Sequence, residues 1–426
     1  MVDRSGNQYA DTGTTAVAAP RETHLAASAT ETLRVGLVGC GAFARFSLAQ
    51  YRKLPGVTIA AVADIDATAA ARAAHDLGAA AHTTDAVLTA ADLDLVYIAT
   101  PPALHFRQAK RALESGKHVL VEKPLATTVA DARELDSLST RQGRVCVANL
   151  VERYNPLADC VKRVIEGGLL GDLLHGLFIN EAADEGLAPT HWFWNRETSG
   201  GIFVEHGVHF FDLVACWLGE GHVVSAARSL REPSAADGAV EEEVMCTCRY
   251  PRPRASGSGA SRAAGAVGAG VCTRHTGLLF HFEHGFHQAS RMDRQEMRLV
   301  FERGELRLFD WVPTHGLVRA MLDDAATEAL AGILPNAAIH RVEAYEGQAR
   351  SARGRFKPFL ASGLVEIRFS TGLDKLGIYA QVVRDLAADQ VAWIRDPSHV
   401  RRLTEAESVA SVAMACAADR MAMEGW

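Results

Sequence analysis

One short stretch limits what this chain can fold into more than any other. The apolar run Leu33–Val38 ends in Gly39-Cys-Gly41-Ala-Phe-Ala44, and residues 42 to 54 then show helical spacing. This is a G-x-G-x-x-[G/A] turn between a strand and a helix. The first glycine permits the tight turn. The second lets backbone approach a pyrophosphate, and the small residue at 44 lets helix and strand pack closely. The helix N-terminus, with its free N–H groups, faces the phosphates. Gly39, Gly41, Ala42 and Phe43 are therefore candidate dinucleotide contacts.

The residues that follow repeat the pattern. Strand-like runs at 58–63, 95–99, 118–121 and 144–148 alternate with helix-like segments at 66–77, 103–115 and 128–141. Such alternation predicts right-handed βαβ units and a parallel sheet, and continuous apolar strands predict helices on both faces. Asp64 ends the second strand. A carboxylate there accepts hydrogen bonds from adenosine ribose hydroxyls and repels a 2′-phosphate. No Arg or Lys occurs in the next seven residues, which favours NAD over NADP. Asp66 fits the cap of the next helix.

After about residue 151 the texture changes. Helical segments at 156–166 and 201–218 precede strand-like stretches at 223–230, 240–250, 277–284, 296–301, 305–310 and 363–369. These predict an α+β domain with a large, mostly antiparallel open sheet, closed by a helix over 404–422 with a Thr404/Glu407 capping box. The expected organisation is a disordered tail (1–31), a Rossmann domain (32–150) and an α+β domain (151–426). Low-complexity residues 251–270 read as a flexible loop.

Composition narrows the function. The formal net charge of -7 gives no basic character for nucleic acid. No run of 18 or more apolar residues predicts a membrane span, and the N-terminus lacks the apolar core of a secretory signal. The eight cysteines form no CxxC pair, as expected of reduced thiols in a cytoplasmic protein.

Two more motifs stand at strand ends. Thr100-Pro101-Pro102, with His105 beyond it, follows the strand at 95–99. Glu122-Lys123-Pro124 follows the one at 118–121. In an open α/β sheet both face the crevice that holds the glycine turn. Together with Glu152-Arg153-Tyr154-Asn155-Pro156 and SGGIFVEHGVHFFD (199–212), the stretch ATPPALHFRQAKRALESGKHVLVEKPLATT resembles the glucose-fructose oxidoreductase / inositol dehydrogenase / MocA family. The specific resemblance covers about residues 32 to 220.

The resemblance implies an NAD-dependent oxidoreductase acting on a sugar, cyclitol or glycoside, and a homodimer or homotetramer. It implies Lys123 beside the nicotinamide and the reacting hydroxyl, with Glu122 on the cofactor side. Thr100, Pro102 and His105 would lie along the cofactor. The family often carries Asp-x-Gly-x-His followed by Asp. This chain has Glu205-His-Gly207-Val-His209 and Asp212, so glutamate stands in for aspartate at 205, and Ser199 begins what is a triple glycine there.

Glu205 and His209 are four apart, which on an α-helix puts them on one face. A carboxylate beside an imidazole raises its pKa and fixes its tautomer, suiting His209 to take a proton from an alcohol. Asp212 would orient His209 or anchor the helix. Arg153, Trp194 and Asp212 are the candidate substrate contacts. His281, His284 and His287 are placed as a pocket wall rather than a metal site, and no metal is expected. Glu241 to Glu243 read as a solvated strand edge, and the basic stretch 340–357 as a surface loop. Two rival readings are a redox-neutral enzyme with tightly held NAD (an epimerase or a glycoside-cleaving enzyme) and a catalytically silent NAD-binding scaffold.

Overall fold

A computed structural model describes residues 32–184, 186–231, 240–253, 276–346, 349–355 and 357–424. The 1–31 tail and most of the 251–270 segment lie outside them. The first sheet contains β1 (Leu33–Val38), β2 (Val57–Ala63), β3 (Ala80–Ala81), β4 (Leu95–Ile98), β5 (His118–Val121) and β6 (Cys146–Ala148). Their order is β3-β2-β1-β4-β5-β6, all parallel. This is the doubly wound dinucleotide-binding arrangement, with its switch point between β1 and β4. All of β4 and β5 is buried, since helices cover both faces.

The second sheet has nine strands. They are β7 (Leu173–Ala183), β8 (His222–Arg231), β9 (Val240–Tyr250), β10 (Leu278–Gln288), β11 (Arg294–Phe301), β12 (Gly304–Phe309), β13 (His315–Leu322), β14 (Ala338–Ala344) and β17 (Gly363–Ser370). The order is β14-β17-β13-β12-β11-β7-β10-β9-β8, antiparallel except for β7 with β10. Burial alternates along β12, β13 and β17, so one face packs inward and the other stays half-exposed. β15 (Arg350–Gly354) and β16 (Lys357–Ala361) form a separate hairpin.

Two surface readings change. The basic stretch 340–357 is largely strand, not loop, because β14 is an exposed edge strand whose charges replace a partner strand. Glu241 is no solvated edge either. β9 lies inside the sheet, and the Glu241 carboxylate, 9% exposed, accepts from Arg196 at 2.6 Å, from Arg228 at 3.4 Å and from the Ile202 N–H at 2.9 Å.

Among the described residues one helical stretch, Arg196–Leu218, is long and apolar enough to cross a bilayer, but 89% of its apolar window is buried inside the protein. The last helix, Glu405–Glu424, turns back to the first sheet. There Glu405 Oε1 accepts from Cys146 N at 3.0 Å and Ser408 Oγ from Ala148 N at 3.1 Å, closing the open side of β6.

Candidate active site

The glycine turn is built to take a phosphate. Gly39 has φ +92°, and a Cβ there would lie 2.5 Å from the Ala99 carbonyl oxygen. Gly41 is exposed, and a Cβ on it would meet nothing within 4 Å, so the space over the helix N-terminus is open. No side chain caps the Ala42–Tyr51 helix, and no acid occupies its first turn. Its leading N–H groups are free for an anion, so the residues present fit a dinucleotide. Asp64 Oδ2 accepts from Cys40 N at 2.7 Å and Oδ1 from Asp66 N at 2.8 Å, which fixes the carboxylate beside the turn. Asp66 caps the next helix through Thr68 N.

The β4 and β5 ends are tied together, and here one expectation changes. His105 is wholly buried. Its ring spans the Pro124 and Thr100 carbonyl oxygens, both at 2.7 Å, so it clamps the two turns instead of lying along a cofactor. Burial pushes its pKa down to about 4, against the pull of the two carbonyls and with the help of Lys123. Thr100 donates its hydroxyl to Gln108 at 2.6 Å, and buried Pro102 begins a short 3-10 turn. Glu122 Oε1 accepts from Tyr97 and, at 2.8 Å, from Asn149 Nδ2; burial raises its pKa. Asn149 follows β6, so the strand-end rule that located Thr100 and Glu122 was enough to find it.

Lys123 reaches across to the second layer. Its Nζ donates to the Glu205 carbonyl at 2.9 Å and to the Glu205 carboxylate, with the side chains 19% and 7% exposed. The expected Glu205–His209 pair does not form. Residues Phe203–Gly207 are one π-helical turn, followed by an α-helix from Val208 to Leu218. The wider turn rotates Glu205 away from the residue four later and toward Lys123. His209 is 2% exposed, and its Nδ1 has no protein partner. Burial first, then the Lys123 charge, hold its pKa well below the usual value, where a raised one was expected.

Other side chains complete the site. An aromatic rail runs from the glycine turn to the imidazole: Phe43 to Tyr379 (5.3 Å between ring centres), Tyr379 to Trp311 (5.6 Å) and Trp311 to His209 (5.5 Å). His206 lies 5.2 Å from His284 and 5.3 Å from Phe286. His284 is a fully buried histidine among Phe178, Phe203 and Phe210, while His281 lies on the half-exposed face near Thr247. Trp311 and Tyr379 carry no local motif, so sequence reasoning missed them.

Two candidate substrate contacts are structural. Arg153 Nε donates to Asp212 Oδ2 at 2.8 Å, a second guanidinium nitrogen reaches Oδ1, and the pair is 4% and 1% exposed. Arg153 also donates to the Arg402 carbonyl. Both side chains are used up bracing the helix that carries His209. Trp194 packs edge-on to Phe193 at 4.8 Å, beneath Arg231, on a cavity of about 270 Å³ that Ile202, Arg228 and Glu241 also line.

The description "Oxidoreductase family, NAD-binding Rossmann fold" matches residues 33–150, and "GFO/IDH/MocA C-terminal domain" matches 159–307. The chain belongs to the GFO/IDH/MocA oxidoreductases. One relative, the dTDP-3,4-didehydro-2,6-dideoxy-alpha-D-glucose 3-reductase of Streptomyces violaceoruber, is 30% identical over 277 residues, 64% of this chain and 73% of the relative. A glycosyl hydrolase family 109 protein of Saccharopolyspora erythraea is 31% identical over 203 residues, which span 43% of this chain and 44% of that protein. The crystal structure of GenD2 from gentamicin A biosynthesis in complex with NAD superposes with a TM-score of 0.67 at 20% identity, covering 96% of this chain and 98% of that one. GFO/IDH/MocA enzymes are NAD(P)-dependent oxidoreductases, and related structures include complexes with NAD, NADH and NADP.

Proposed function

We propose that this oxidoreductase uses NAD and acts at a hydroxyl-bearing carbon of a sugar or cyclitol. The observation that carries the reading is the Lys123 ammonium held by Glu205, with buried His209, its Nδ1 without a protein partner, on the helix that directly follows Glu205. Bound nicotinamide supplies a hydride acceptor in oxidation and a donor in reduction. His209 takes the hydroxyl proton as the alcohol is oxidised and returns it in the reverse direction. Lys123 stabilises negative charge on the substrate oxygen, and Glu205 holds the ammonium in place. Asp64 reads the adenosine ribose and disfavours a 2′-phosphate. Trp194 is linked to His206 through Phe286 and extends the pocket with a stacking surface. Sugar-related names among the relatives support the substrate class. The half-exposed face of the nine-stranded sheet is the proposed dimer or tetramer contact, checked by light scattering.

The test is NADH formation at 340 nm with a panel of sugars and cyclitols, NADP alongside. Lys123→Ala and His209→Ala are each expected to lower kcat by about 100- to 10,000-fold. Turnover without accumulated NADH would replace this reading with a redox-neutral one. Unchanged turnover in both variants would refute the assigned roles.

A further inference from the structure

Glu152 is a buried acid in this region that the scheme above leaves unused, and it differs from Glu122 and Asp212 in having no partner. It is 1% exposed, and neither carboxyl oxygen has a protein partner. Its neighbour Arg153 is fully engaged by Asp212 and Arg402. The turn Val151–Tyr154 begins three residues after β6, so it stands at the carboxyl end of the first sheet, where open α/β sheets bind ligands. Asn149, just before it, bonds Glu122, and the Asn149 Oδ1 is likewise buried and unpaired. The turn packs between the helix carrying His209 and the Lys375–Arg395 helix carrying Tyr379. Both helices bear members of the aromatic rail.

A buried carboxyl without partners costs about 1–3 kcal/mol or more in the unliganded protein. Charge does not account for its place: only Lys375 acts on it, and that side chain is exposed. Burial lifts its pKa well above the carboxylate range, so the group is a neutral acid. A neutral acid offers one O–H donor and several lone pairs. A ring hydroxyl, which also both donates and accepts, is its match.

We propose that Glu152 is a specificity-determining residue that hydrogen-bonds a ring hydroxyl of the substrate. The proposal rests on the polyol reading above. It also reassigns the substrate-reading role from Arg153 to the residue before it. An amide can do what a neutral acid does here, and a hydrocarbon cannot, so Glu152→Gln and Glu152→Leu separate the possibilities.

The experiment measures KM and kcat for levoglucosan, myo-inositol and D-glucose with NAD, the Kd for NADH, and the thermal midpoint of the cofactor-free protein. A second arm follows the midpoint of the NADH-loaded protein with and without each polyol. Expected results are a KM about tenfold or more higher in Glu152→Leu with NADH affinity within about twofold, and a KM within about threefold in Glu152→Gln. The cofactor-free midpoint of Glu152→Leu should hold or rise, and its polyol-induced rise should vanish. An unchanged KM in Glu152→Leu overturns the proposal. A parallel loss of NADH affinity overturns it by moving Glu152 to the cofactor. A fall in midpoint for both variants assigns Glu152 to the fold. Equal damage by Gln and Leu points to an ionic partner and overturns the hydroxyl. A wild-type protein that neither turns over nor responds to any of the polyols fails the substrate reading itself, and this proposal with it.

Discussion

Glu205→Gln removes one charge at the centre of the site and keeps its shape. In the folded protein the Glu205 carboxylate and carbonyl both hold the Lys123 ammonium, with little solvent between them. Two unit charges about 4 Å apart attract by about 4 kcal/mol at an effective dielectric of about 20. Desolvation opposes this, and the lysine is 19% exposed, so we expect Glu205→Gln to destabilise by about 2–3 kcal/mol. Lys123→Met should cost about as much. The double variant should recover most of the loss, giving a coupling energy of about 2 kcal/mol. A second cycle pairs Glu205→Gln with His209→Asn. Its coupling should stay under about 0.5 kcal/mol, the value for residues that share no contact. Urea unfolding of the cofactor-free protein measures both, with the denaturant slope checked for each variant. If Glu205 couples to His209 as strongly as to Lys123, the π-turn geometry and the roles derived from it are wrong.

Three further outcomes are expected. Gly39→Ala should cost several kcal/mol in thermal unfolding, because its Cβ would press on the Ala99 carbonyl at positive φ; Gly41→Ala should leave the midpoint within about 1 °C yet weaken NADH binding about tenfold or more, since it fills only the cradle. Asp64→Asn should shift the NADP/NAD ratio of kcat/KM by about 30- to 100-fold, because a carboxylate and a phosphate about 5 Å apart repel by about 1.5 kcal/mol even in water and the ribose loses a charged acceptor; an unchanged ratio would remove Asp64 from cofactor choice. The lowered pKa of His209 keeps it neutral as pH falls, so the oxidation rate should stay within about twofold from pH 8 to 5.5, where an ordinary imidazole would lose about tenfold; such a loss would count against His209 as the base.

What the sequence revealed follows from how local each signal is. The Rossmann elements could be read because each motif directly follows its own continuous apolar strand. β7 escaped notice since Gly176 and Asn180 break its apolar pattern, yet a Cβ at Gly176 would lie 2.3 Å from the Phe280 ring, so the glycine makes room for its neighbour on β10. Glu241 read as solvated because its arginine partners stand 45 and 13 residues away. The Arg153–Asp212 brace spans 59 positions and leaves no local trace. Glu205 misled for another reason. Four-residue spacing fixes a shared face only in an α-helix, and periodicity does not announce a π-turn.

The return of the last helix to β6 bears on how the chain is made. On the ribosome the first sheet emerges early, but the acceptors for Cys146 and Ala148 N–H arrive some 260 residues later. Until then β6 offers an unpaired strand edge, the kind of surface that recruits other chains. The earlier of these two domains to leave the ribosome is thus finished only with the later one, and a nascent chain stopped short of residue 405 carries a dinucleotide fold with one side open.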